Sequence, residues 1–131
     1  MDVFRQFATN EDQENTGVWR EMGGDAKLLI ARSGNRAYGR MITKLYEQHQ
    51  QALEIKGDSA EALSDKIMIE VIAKTILLGW EGVEYKGKPL EYNLENAQLL
   101  LAVKDFRRHV TKLSEDIDQY RVKEEEAAGE S

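Results

Sequence analysis

One stretch limits the fold of this chain more than any other. Leu63, Ile67, Met68, Val71, Ile72, Ile76 and Leu77 recur at helical spacing within residues 63–77. Apolar residues at three- and four-residue steps give a helix with a wide apolar side, and a helix of that kind has to be covered on more than one flank. The sequence therefore predicts a central, buried helix that opens after Gly57 and ends at Gly79. Asp58, followed by Glu61 three residues on, has the form of a capping box with Asp in the Ser/Thr role. Glu70, Lys74 and Thr75 interrupt the apolar run, which is too short and too charged to span a bilayer.

The rest of the chain has to supply the cover. Ser33-Gly34-Asn35 offers capping side chains, and Tyr38, Met41, Ile42, Leu45 and Tyr46 then fall at i, i+3, i+4, i+7 and i+8. That pattern predicts a helix continuing towards Leu53, with Gly57 as its stop. Asn93 is a good N-cap for a helix over 94–103 that turns Ala97, Leu100 and Leu101 inward. From Asp105, the residues Phe106, Val110, Leu113, Ile117 and Tyr120 alternate spacings of four and three, a seam of just over two heptads. Short strand-like runs at 18–22 and 27–31 flank Gly23-Gly24-Asp25, which predicts a small N-terminal hairpin. Lys86-Gly87-Lys88 sits between Val83 and Tyr85 on one side and Leu90 and Tyr92 on the other, giving either a second hairpin near 83–92 or an ordered loop. The expected fold is mainly α: about four helices around a thin core, with the N-terminal hairpin attached. Residues 1–15 read as a flexible lead-in, 16–122 as a single helical domain, and 123–131 as a disordered acidic tail.

Composition then removes classes of function. The chain has no cysteine, which excludes disulfides, zinc–thiolate sites and thiol nucleophiles. Its net charge of -6 opposes general nucleic-acid binding. The start Met1-Asp-Val-Phe-Arg-Gln-Phe lacks a basic region before an apolar run, so no secretory signal is expected. His49 and His109 lie on different predicted helices, and neither has a second histidine at metal-ligand spacing. Asp116 and Asp118 sit where a helical heptad runs, without the glycine-bearing turn of a calcium loop. Gly23-Gly24 and the 82–88 segment match no phosphate-binding glycine pattern. The expectation is a protein that is not an enzyme, uses no cofactor or metal, and works by holding other proteins.

Two surfaces are candidates for that holding. Arg32, Arg36, Arg40 and Lys44 recur every four residues as a basic stripe along the first long helix. The stripe reads as a solvated face, as a contact for an acidic protein, or as a phosphate contact. The overall charge and the lack of an aromatic platform count against nucleic acid. The seam Phe106, Val110, Leu113, Ile117 and Tyr120 either closes the core or pairs with a second copy of the chain. Trp19 and Trp80, each beside a glycine turn, read as lids on the core.

Several motifs in order carry a resemblance. Glu14-Asn-Thr-Gly17-Val-Trp19 is followed by Ala26-Lys-Leu-Leu-Ile-Ala-Arg32-Ser-Gly-Asn35-Arg-Ala-Tyr38. Leu78-Gly79-Trp80-Glu-Gly-Val, Gly87-Lys-Pro89-Leu-Glu-Tyr92-Asn and Glu95-Asn96-Ala97 come later. Over roughly residues 10–120 this resembles the tail assembly chaperones of long-tailed bacteriophages, in the shorter, non-frameshifted form. The resemblance implies binding to the tape measure protein, recruitment of tail tube protein, and contact with a longer frameshifted product of the same gene, with a homo-oligomer left open. It implies action in the host cell cytoplasm and absence from the mature virion, with no nucleic acid and no membrane. It assigns no binding residue. The alternatives are a virion structural protein, such as a tail terminator or head–tail connector, and a small DNA-binding regulator.

Overall fold

Gly23 and Gly24 take φ of 94° and 57°, a conformation that a side chain disfavours, and they turn the chain between β1 (Val18–Glu21) and β2 (Lys27–Ile30). This is a computed structural model that describes residues 1–55 and 57–121. The two strands pair antiparallel, with Trp19 opposite Leu29 and Arg20 opposite Leu28. An isolated hairpin is marginal in water, and here it is not isolated. β3 (Leu77–Glu81) pairs with the other edge of β2, so that β2 is the middle strand of a three-stranded antiparallel sheet. Alternation puts Leu28 and Ile30 of β2 on the buried side, and a register shift at Leu29/Ile30 brings both Trp80 and Leu77 of β3 opposite them; Ile30 and Leu77 are fully buried.

Five helices lie on that side of the sheet. α3 (Arg36–Gln48) and α4 (Gln50–Glu54) follow the hairpin, and α5 (Asp58–Thr75) runs straight into β3. α6 (Leu94–Leu101) and α7 (Lys104–Ser114) complete the set after the loop that follows the sheet. Ile72, Ala73 and Ile76 of the α5–β3 segment meet Leu28, Ile30 and Trp80 of the sheet, Ala97, Leu100 and Leu101 of α6, and Val110 of α7. A two-residue pair of strands, β4 (Glu84–Tyr85) and β5 (Lys88–Pro89), folds over β3. It is fastened there by polar tips of aromatic residues. The Trp80 indole N–H donates to the Leu90 carbonyl at 2.7 Å, and the Tyr92 hydroxyl donates to the Leu77 carbonyl at 2.8 Å. The two rings meet edge to face at 4.9 Å.

The first sixteen residues hold two short helices, α1 (Val3–Phe7) and α2 (Glu11–Thr16). The Asp2 and Asn10 side chains cap them by accepting from the Arg5 and Gln13 backbone N–H groups. Distant partners hold α2 in place: the Asn10 N–H donates to the Tyr120 carbonyl, and Arg32 forms an ion pair with Glu14 at 2.9 Å.

The expectation of a mainly α fold with about four helices is therefore corrected. Among the described residues there are seven α-helices with a three-stranded and a two-stranded antiparallel sheet, a mixed α/β arrangement. The main cause is the end of the central helix. That helix stops at Thr75 rather than Gly79, and the run that follows, Leu77-Leu-Gly-Trp-Glu81, becomes β3 because β2 offers it an edge to pair with. The first long helix is also broken, at His49, into α3 and α4. Gly57, not Asp58, is the N-cap of α5, and Asp58 and Glu61 lie in its first turn, where they suit the positive end of the helix dipole. The acidic tail expected at 123–131 lies outside the described residues.

Candidate functional site

Asn35 fixes where α3 begins. Its side-chain oxygen accepts from the Tyr38 N–H at 3.0 Å, the N-cap that the sequence signalled. Its amide also donates to the carbonyls of Arg32, at 2.9 Å, and Thr75, at 3.0 Å. The side chain is buried, so this one residue ties the start of α3 to the junction of α5 with β3. Beyond this anchor the packing thins. Tyr38, Met41, Ile42 and Leu45 turn towards α5 yet are only half-buried, and no residue of α3 or α4 is buried. The half of α5 beneath them is likewise open, since its buried residues begin at Ile67. The Tyr46 hydroxyl lies 3.5 Å from the Ser64 hydroxyl. Burial at the α3–α5 contact, and then the neighbouring Tyr46 and Glu115, push the Tyr38 phenol above its ordinary pKa of 10.

On the opposite side of α3 lie Arg36, Arg40 and Lys44, all exposed. None of the three pairs with a carboxylate among the described residues. Their setting works against the helix that carries them. Arg36 is its first residue, at the positive end of the dipole, and the first turn has no acidic residue. A cation there costs about 0.3–1 kcal/mol, and like charges four residues apart cost a further ~0.2–0.5 kcal/mol per pair. Gly39, inside the same helix, adds about 1 kcal/mol relative to alanine. Arg32 is not part of this line. It stands in the loop before α3, half-buried against Glu14, and its backbone N–H donates to the Glu14 carbonyl.

The C-terminal seam is drawn into the body. Val110 is fully buried, and Phe106 and Leu113 pack against the same core. α7 ends at Ser114, and Ile117 opens a separate 3-10 turn, Ile117–Tyr120. Tyr120 is fully buried and its hydroxyl donates to the Ile30 carbonyl at 2.9 Å. That burial pushes its pKa up to about 12. The Arg20 guanidinium braces the same corner through Asp116, at 3.1 Å, and the Leu113 carbonyl.

The two tryptophans part company. Trp80 is buried, whereas Trp19 is 44 % exposed and lies over the outer face of the sheet. There a Cβ built on Gly79 would sit 3.8 Å from the indole edge, and the Lys27 ammonium lies 4.9 Å from the ring centre. Sequence patterning did not separate these two roles; the alternation within a paired β1 would have done so. The clefts are shallow. One of about 310 Å³ lies between α5 and α7, over Met68 and Ile72. Another, of about 290 Å³, lies beside His49, Lys66, Glu70 and Gln98. His109 is exposed on α7 and lines neither. Among the described residues no group of three or more His, Cys, Asp or Glu is placed to hold a metal ion, and no helix is long and apolar enough to cross a membrane.

What the geometry defines is a well-packed α/β body that carries a loosely packed, amphipathic helix with a cationic outer side. Residues 33–130, three quarters of the chain, match the YdaY prophage protein family, and the chain belongs to that family. It is thus a protein of phage origin. No curated protein and no solved structure matches the chain.

Proposed function

We propose that this chain is a tail assembly chaperone of a long-tailed prophage. In this reading it binds the tape measure protein, keeps it soluble, and helps recruit tail tube subunits. It acts in the host cytoplasm and leaves before the virion is complete. The observation that carries the reading is α3: an amphipathic helix of thirteen residues that buries none of them in its own fold. A helix built this way is suited to sharing its apolar side with the helix of a partner, as in helix-in-groove recognition. Membership of a prophage family and the ordered motifs from Gly17 to Ala97 point the same way.

Co-expression with the tape measure protein of the same prophage tests the proposal. The expected result is a soluble complex that co-purifies, with the tape measure protein insoluble when expressed alone. Equal solubility with and without this chain would refute the reading. Mass spectrometry of purified particles separates it from a virion component, since a chaperone is expected to be missing from them.

A further inference from the structure

We infer that Arg36, Arg40 and Lys44 form a docking line for an acidic helical segment of a partner protein. Steps of four residues at a rise of about 1.5 Å place neighbouring cations roughly 6 Å apart along α3. All three are exposed and, among the described residues, have no carboxylate partner. The chain is not short of acids, with 24 against 18 basic residues. Several cations elsewhere do find carboxylates: Arg20 with Asp116, Lys27 with Glu81, Arg32 with Glu14, Lys74 with Glu70. Placing Arg36 at the positive end of the helix dipole and repeating like charges at steps of four without carboxylate partners is a local cost that folding does not require.

The chemistry of the line selects the partner. Guanidinium forks engage carboxylates in bidentate fashion, and a partner helix with acidic residues at i, i+4 and i+8 repeats the same spacing. Duplex nucleic acid fits less well. The net charge of -6 repels it, and the aromatic residues of α3, Tyr38 and Tyr46, sit on the side turned to α5 and so give the cationic line no stacking platform. The inference stands apart from the tail-assembly reading, because it concerns the chemistry of one helix face and not the identity of the protein that meets it.

The test uses the full chain and defined probes: a synthetic amphipathic helical peptide with Glu at i, i+4 and i+8, its Gln counterpart, a short DNA duplex, and vesicles containing anionic lipid. Binding is read by fluorescence anisotropy, or by co-sedimentation for the vesicles, at low salt and at about 0.15 M ionic strength. The Glu peptide is expected to bind more tightly than the Gln peptide by about tenfold or more, equivalent to about 1.4 kcal/mol. Its binding should weaken with salt and be lost in the variant Arg36→Glu/Arg40→Glu/Lys44→Glu. The urea midpoint of that variant should stay close to that of the parent chain, since an acid at position 36 suits the start of the helix while the like-charge repulsion at steps of four is kept, so lost binding would not reflect lost folding. No detectable binding of the Glu peptide, equal binding of both peptides, binding unaffected by the charge reversal, or tighter binding of DNA or vesicles would each overturn the inference.

Discussion

Replacing Asn35 with alanine removes an N-cap and an amide that donates to the Arg32 and Thr75 carbonyls, and the structure allows the cap and the buried Thr75 tether to be sized. The first is the N-cap of α3, made to the Tyr38 N–H at 3.0 Å, whose loss typically costs about 1 kcal/mol. The second is the amide that donates to the Thr75 carbonyl at 3.0 Å in a buried setting. An acceptor left unpaired there costs about 1–3 kcal/mol. Together the substitution should cost about 2–4 kcal/mol, a large share of the ~5–15 kcal/mol by which such domains are stable. With a urea m-value of about 1–3 kcal/mol/M, a loss near 3 kcal/mol moves the midpoint down by about 1–3 M. Asn35→Ser separates the terms, because serine keeps the cap acceptor and loses the tether to Thr75. It should fall between alanine and the parent chain, nearer to alanine. Urea denaturation followed by tryptophan fluorescence and by far-UV circular dichroism reads both variants. If Asn35→Ser matched the parent chain, the tether would carry no energy, and the view that Asn35 couples α3 to the α5–β3 junction would be wrong.

Three further substitutions probe other parts of the argument. Gly39→Ala adds a Cβ that meets nothing within 4 Å and should stabilise the chain by about 0.5–1 kcal/mol in the same urea assay. Gly82→Ala should instead cost at least about 2 kcal/mol, because φ is +68° and the new Cβ would lie 2.5 Å from the Asp25 carbonyl oxygen, which is backbone and cannot swing away. Tyr120→Phe loses the bond to the Ile30 carbonyl and should cost about 1–2 kcal/mol at neutral pH. It also changes the alkaline profile. The folded pKa of Tyr120 is raised from 10.0 to about 12, so the stability it contributes is complete below pH 10 and is lost as pH rises towards 12. The phenylalanine variant should therefore lose less stability across that window, with a remaining decline from Tyr38 and Tyr92, whose pKa values are also raised.

What the sequence revealed was what local chemistry determines. The stripe of α3, the Asn35 and Asn93 caps and the glycine turns are each set by residues within a few positions, and each is where its pattern places it. The misses share a cause, which is that distant residues decide them. Residues 67–80 are apolar at both helical and strand spacing, so nothing local marks Thr75 as the end of α5; the free edge of β2 does. The heptad from Phe106 to Tyr120 reads as one helix, but Tyr120 is pulled aside to the Ile30 carbonyl and α7 stops at Ser114. Arg32 shares the four-residue spacing of its neighbours, yet Glu14, eighteen positions earlier, takes it out of the line. Part of the candidate surface was legible because a solvent-facing cation on a helix needs only the helix to be placed.

The match to the prophage family begins at residue 33, and that boundary cuts through the fold. β2, the middle strand, lies before it, while β3, which β2 pairs with, lies after it. Leu28 and Ile30 from the first part fill the core under α5, and the Ala31 N–H donates to the Ile76 carbonyl across the join. The fold is thus a larger unit than the segment that defines the family. This bears on which exposed surface matters most. The Trp19 face of the sheet is built largely from residues ahead of the boundary, whereas α3, with Asn35 as its anchor and Arg36, Arg40 and Lys44 on its outer side, lies wholly within the matched segment. A property common to the family belongs first to the residues the family shares. On that ground α3, rather than the exposed indole, is where mutagenesis of a shared binding function should begin.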